Sequence, residues 1–179
     1  TLTAGNTYTL GTTFNQGTIN LSPTVTDGSV TVIPAGGLTI NGGGSAATGG
    51  TLVNVNASNA IAASNDLIIN GRGSVTYAAA ALNNGLNSIT FNNNGGEGNP
   101  TITLPTNGVL TLASSTPITA TSSNAATTAT ITGGTVVIPT GANTVSVDAI
   151  KIGTQVYTGN QPTLSIASVL VGGGASINK

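Results

Sequence analysis

The chain contains no cysteine, histidine, tryptophan or methionine. Without cysteine it has no disulfides and no thiolate metal ligands, and it is compatible with any redox compartment. Without histidine as well, the commonest general bases and activated nucleophiles are missing, which argues against an enzyme. Charge is nearly as scarce. Only Arg72, Lys151 and Lys179 are basic and only Asp27, Asp66, Glu97 and Asp148 are acidic, 4% of 179 residues, against about a quarter in ordinary soluble domains. Such a surface has no phosphate-neutralising patch, so nucleic acid is excluded as a partner, and no polybasic membrane anchor. Aromatic residues make up 3%. The interior therefore has to be filled with Val, Ile, Leu and Ala, which suit thin cores between β layers. No apolar run is long enough to cross a bilayer and none reads as a signal peptide, so no membrane insertion is expected. The chain starts at Thr1, not Met, which fits an exported protein whose leader is removed, or a fragment of a longer one.

What the chain does have is one recurring phrase, an alternating apolar run that stops at Asn-Gly. It is clearest at Leu38-Thr39-Ile40-Asn41-Gly42 and Leu67-Ile68-Ile69-Asn70-Gly71. Alternation places Leu38 and Ile40 on one face of an extended strand and Thr39 and Asn41 on the other. Asn-Gly then offers positive φ to reverse the backbone. Looser versions lie around Thr7–Leu10, Thr18–Leu21, Val30–Ile33, Leu52–Val55, Val75–Tyr77, Ile89–Phe91, Thr101–Leu104, Val109–Leu112, Thr128–Thr132 and Val136–Ile138. The last third, with runs at Thr144–Val147, Ala149–Ile152, Gln155–Tyr157 and Ser165–Val171, reads as hairpin-like. Only Ala57–Asn65 and Ala78–Leu82 carry alanine runs that could make a helical turn. The class is all-β, one domain over 1–179. Strand starts at Thr18, Leu38, Leu67, Ile89, Val109 and Ile131 are 20, 29, 22, 20 and 22 residues apart. That spacing favours a parallel β-helix, or β-solenoid. A β-sandwich or jelly roll with a donated strand is the alternative, to which five Asn-Gly turns would lend themselves.

These Gly-, Asn-, Thr- and Ala-rich strands, with phrases such as Leu38-Thr39-Ile40-Asn41-Gly42 and Val109-Leu110-Thr111-Leu112-Ala113, resemble repetitive bacterial cell-surface proteins: autotransporter passenger domains, filamentous adhesins and surface-layer proteins. The resemblance is one of texture over most of the chain, without a diagnostic motif. It implies a β-helical, exported, non-enzymatic surface protein and brings no catalytic residues with it.

Chemistry-bearing residues are few. Asp27 precedes Gly28, and Asp66 precedes a strand, so both read as turn residues in preference to a glycosidase-like pair. Asp148 and Lys151 read as a solvated pair. The loop 92–100 faintly echoes a glycine-rich calcium repeat, but Pro100 stands where a ligating Asp is needed, and a plain loop is the better reading. Gly71-Arg72-Gly73 reads as a turn with its charge outward. Asn20-Leu21-Ser22 and Asn56-Ala57-Ser58 match the N-glycosylation pattern at a frequency chance would give. No catalytic residue, metal or cofactor is assigned.

One absence has a positive consequence. β proteins guard unpaired strand edges with Lys, inward charge, Pro or bulges, and seven charges cannot guard a dozen strands. The edges are therefore either covered or meant to pair with another copy of the chain, and pairing is the expectation. The candidate assembly strands are Thr7, Tyr8, Thr9 and Leu10 near one terminus, and Ser165, Ile166, Val169, Leu170 and Val171 near the other. Segments 1–10 and 165–179 are the candidates for exchange between neighbours. The function expected is an extracellular or cell-surface structural protein that self-assembles into a homopolymeric filament or layer. The alternatives are a monomeric adhesin or passenger segment contacting a host surface or glycan, and an ice- or carbohydrate-binding solenoid. The last is suggested by Thr7-Tyr8-Thr9, Thr101-Ile102-Thr103 and Thr128-Ala129-Thr130.

Overall fold

Strands adjacent in the sequence lie in different sheets, and strands adjacent in a sheet come from successive passes of the chain. The structure, a computed structural model, describes residues 1–43, 50–94, 98–157 and 162–172 and the backbone of 175–178. The first sheet stacks β1 (Thr12–Phe14), β3 (Leu38–Asn41), β5 (Asp66–Asn70), β8 (Ser88–Asn93), β11 (Ile118–Ser122), β14 (Gly141–Val147) and β19 (Ala175–Asn178), in that order. The second stacks β2 (Thr18–Leu21), β4 (Leu52–Val55), β6 (Ser74–Tyr77), β9 (Thr101–Thr103), β12 (Ala129–Thr132) and β17 (Leu164–Ile166). The third stacks β7 (Asn83–Leu86), β10 (Val109–Leu112), β13 (Thr135–Val137) and β18 (Val169–Val171). In the earlier passes the third side is continued by the parallel bridge between Ile33 and Ile61, with Val32 N–H donating to Ala60 O and Ala62 N–H to Ile33 O. The pairings are parallel throughout, except between β15 (Ile150–Ile152) and β16 (Gln155–Tyr157). The fold is all-β and solenoid-like, and no helix forms among the described residues. Both alanine-rich segments are turns.

The alternation read from the sequence sets what is inside. Leu38, Leu67, Ile89, Ile118 and Val145 occupy one column of the first sheet, and Ile40, Ile69, Phe91 and Ala120 the column two residues on. Val53, Val75, Ile102 and Ile131 do the same in the second sheet, Leu110 and Val136 in the third. All belong to one buried cluster enclosed by the three sheets. A one-residue slip in any ladder would turn its apolar set outward, so the shared core fixes the register.

Several expectations need correction. The spacing of about 20 residues mixed sheets, because Thr18 and Ile131 lie in the second, Leu38, Leu67 and Ile89 in the first, and Val109 in the third. Residues actually stacked, such as Leu38 on Leu67 and Leu67 on Ile89, are 29 and 22 apart. The sandwich alternative needs antiparallel neighbours, and the long parallel ladders leave no place for them. Among the described residues of the last third, only β15 and β16 form a hairpin; Ser165–Val171 divides at a corner into β17 and β18, both parallel to the strands they meet. Thr7–Leu10 forms no strand.

Asn-Gly does not work as a hairpin turn here. Asn41 and Asn70 stay within their strands, and Gly42 does not have positive φ. A Cβ on Gly42 would fall on the backbone of Arg72 and Gly73, so that glycine is required by the close approach of the next layer. Gly71, at φ 58°, is the one of the two that turns the chain through the left-handed region.

Candidate functional site

The two ends of the stack differ. At the N-terminal end Leu2 bridges to Leu21, its N–H donating to Asn20 O and its carbonyl accepting from Ser22 N–H, both at 2.8 Å. Asn6 crosses to the third side, where its Nδ2 donates to Val32 O at 2.8 Å. Residues 2 and 6 thus lie on the first layer of their own molecule. Thr7, Tyr8, Thr9 and Leu10 run exposed between that contact and β1; Tyr8 Oη and Thr12 Oγ1 share a 2.6 Å hydrogen bond, and Leu10 is 81% exposed. The outer edge of β1 has no strand beside it among the described residues.

At the C-terminal end all three sheets finish together. β17, β18 and β19 are the last strands of the second, third and first sheets, with no described residue pairing beyond them. Ser165, Ile166 and Leu170 are partly buried, while Val169 is 61% and Val171 44% exposed. The structure therefore gathers the C-terminal candidates into one layer. It sets Thr7–Leu10 apart from them as coil.

The outer faces carry columns the sequence reading did not find. Asn41 Nδ2 donates to Asn15 Oδ1 at 2.8 Å, Asn70 Nδ2 to Asn41 Oδ1 at 2.6 Å and Asn92 Nδ2 to Asn70 Oδ1 at 2.8 Å; Thr121 Oγ1 then donates to Asn92 Oδ1 at 3.2 Å. Asn41, Asn70 and Asn92 each give one bond and take one, layer after layer. Asn at the same place in each strand phrase was the signal available. A shorter ladder joins Asn54 to Asn20, and Asn56 bonds Ser22, so both matches to the glycosylation pattern are tied into the stack. On the second sheet Thr101 stacks with Thr130, and Thr76 with Thr103 and Thr132. The repeated unit is thus Thr130-Ile131-Thr132, not Thr128-Ala129-Thr130.

The charged residues do not converge. Asp27 Oδ1 accepts from Ser29 Oγ at 2.6 Å and from Ser29 N–H at 2.9 Å, and the Ser29 hydroxyl, then its amide, hold the carboxyl below its usual pKa. Asp66 Oδ1 accepts from Ser88 Oγ at 2.6 Å and Asn87 Nδ2 at 2.7 Å. Each carboxylate thus serves its own local loop. Arg72 is not a simple exposed turn charge. It is half-buried with Nε enclosed, and a Cβ on Gly98 would stand 2.8 Å from that atom. Of the loop 92–100, residues 95–97, Glu97 among them, lie outside the described residues; Asn99 Oδ1 accepts from Thr128 N–H at 3.2 Å. Among the described residues no three potential metal ligands cluster.

Two shallow clefts lie among the described residues. One, about 230 Å³, lies over β7 and β10, lined by Asn59, Asn83, Asn84, Gly85, Val109 and Thr111. The other, about 180 Å³, opens where the turns after β8 and β11 meet the start of the β15–β16 hairpin. Searches against protein-family models, characterised proteins and solved structures find no match to this chain.

Proposed function

We propose that the chain is a parallel β-helix acting as a non-enzymatic structural protein outside the cell, which joins copies of itself by strand pairing into a filament or surface layer. The observation that carries this reading is the C-terminal layer, where three ladders end together on edges with no strand beyond them among the described residues. Residues 162–172 contain no charge, and Val169 and Val171 stand exposed beside those edges. Apart from Pro162, residues 162–172 hold none of the Lys, inward charge or Pro that usually guards an edge. The opposite end offers the edge of β1, next to exposed Leu10. A contact between unlike faces stacked along the coil axis moves each copy forward along that axis, so its repetition gives an open filament instead of a ring. The β-helix reading draws on the strand order, in which each of the three parallel sheets is filled by successive passes around one core. The extracellular placement draws on a surface of Thr, Ser and Asn in place of charge. A monomeric adhesin or passenger segment is the alternative.

The test is Val169→Lys combined with Val171→Lys. Both side chains are exposed, so the subunit keeps its β circular dichroism, whereas two charges per end oppose stacking. Negative-stain microscopy should show filaments for the unaltered chain and single particles for the variant. Filaments that persist unchanged in the variant count against this end as the contact.

A second reading rests on the threonine columns of the second sheet. Parallel strands about 4.8 Å apart give a flat, uncharged grid of hydroxyl and methyl groups, the kind of regular surface that could meet an ice lattice. Thr103→Lys at the middle of the grid should abolish thermal hysteresis if ice is bound; no hysteresis in the unaltered chain removes this reading.

A further inference from the structure

We propose that the cleft between the β15–β16 hairpin and the turns after β8 and β11 binds a neutral saccharide through adjacent ring hydroxyls. The hairpin is the one antiparallel pair among the described residues, inserted between β14 and β17 where the winding would otherwise continue. It lies against β11, and the resulting cleft has Asn94, Thr121 and Ser123 on one wall and Asp148, Ala149 and Lys151 on the other. Beneath it the wall is fixed, because Asn93 is buried and both ends of its amide bond Thr127.

The groups facing the opening are unspent. Asp148 and Lys151 form no ion pair with one another, and the side chains of Asn94 and Ser123 have no hydrogen-bond partner among the described residues. A carboxylate accepts from two neighbouring hydroxyls at once, an ammonium donates to hydroxyl oxygens, and an amide does both. The two charges cancel, so neither a polyanion nor a cation is favoured, and a ligand rich in hydroxyls satisfies the walls best. Ala149 supplies a small apolar contact for ring C–H groups. At about 180 Å³ the cleft is smaller than a drug-sized pocket, which limits it to one sugar ring of a longer glycan. The site is independent of the end-to-end contact, and its occupancy is read separately from the polymer state.

Saturation-transfer NMR reads the ligand, so it serves monomer and filament alike. The probes are glucose, galactose, mannose and N-acetylglucosamine, with glycine as a zwitterion that would suit the two charges without using the hydroxyl and amide groups. At least one sugar should give a dose-saturating signal with a dissociation constant on the order of millimolar. Asp148→Ala, an exposed substitution, should weaken it about tenfold or more, the loss of a charged hydrogen-bond acceptor. No saturating signal with any sugar overturns the proposal. So does saturation by glycine alone, or sugar binding that is unchanged in both Asp148→Ala and Lys151→Ala.

Discussion

Asn70 holds the centre of the amide ladder, giving one hydrogen bond to Asn41 and taking one from Asn92. Asn70→Ala removes both and leaves two half-buried amides with unmet groups, a cost of about 1–3 kcal/mol. Asn15→Ala, at the end of the ladder, removes one bond and should cost about half as much; urea unfolding of the two variants checks the ratio. Tyr77 presents the opposite case. Its hydroxyl is buried without a partner, and burial pushes its pKa well above the ordinary tyrosine value. Tyr77→Phe removes an unsatisfied group and is expected to stabilise the fold by about 1 kcal/mol. The same burial sets an alkaline limit. Below pH ~10 Tyr77 is protonated folded or unfolded, but above it only the unfolded chain gives up the proton, so stability falls as pH rises past ~10. Tyr77→Phe should flatten that fall, as followed by thermal melts from pH 8 upward.

At the scale of the elements, close stacking of loops matters as much as the strands. Gly42 packs so tightly on Arg72 and Gly73 that a methyl group cannot enter without parting two layers. Gly42→Ala is expected to cost about 1–3 kcal/mol or more, whereas open space surrounds Gly17, where only the strain of its φ of 89° counts, about 1–2 kcal/mol. Much of the strand content was legible in the sequence, because inward Leu38, Ile40, Leu67 and Ile69 alternate with outward side chains as a half-buried strand must. β7 and β11 were harder to see. Asn83-Asn84-Gly85-Leu86 has too few apolar residues to show a period, and in Ile118–Ser122 the inward places are filled by Ile118, small Ala120 and polar Ser122. Parallel pairing was only partly legible. Alternation fixes which side chains face in, but not whether the next strand turns back or moves on to another sheet. The Asn-Gly phrase pointed to hairpins because its backbone preferences are local, while the contacts that place Asn41 and Gly42 come from residues about 30 positions away. Of the candidate assembly residues, Ser165, Ile166, Val169, Leu170 and Val171 lie in β17 and β18, the last described strands of their ladders. Thr7–Leu10, equally strand-like in composition, instead spans as coil between the contacts of Leu2 and Asn6 with the first layer and the start of β1.

For the whole molecule, one continuous core serves three sheets, and very little charge opposes the approach of one copy to another. Cohesion through backbone hydrogen bonds and valine side chains is insensitive to ionic screening, whereas contacts between charges weaken as salt rises. Sedimentation velocity of the purified chain, at low and at molar salt, tests the end-to-end contact most directly. The account predicts polymers that grow with protein concentration and survive the high salt. A single sharp monomer boundary at high protein concentration in both buffers would contradict it.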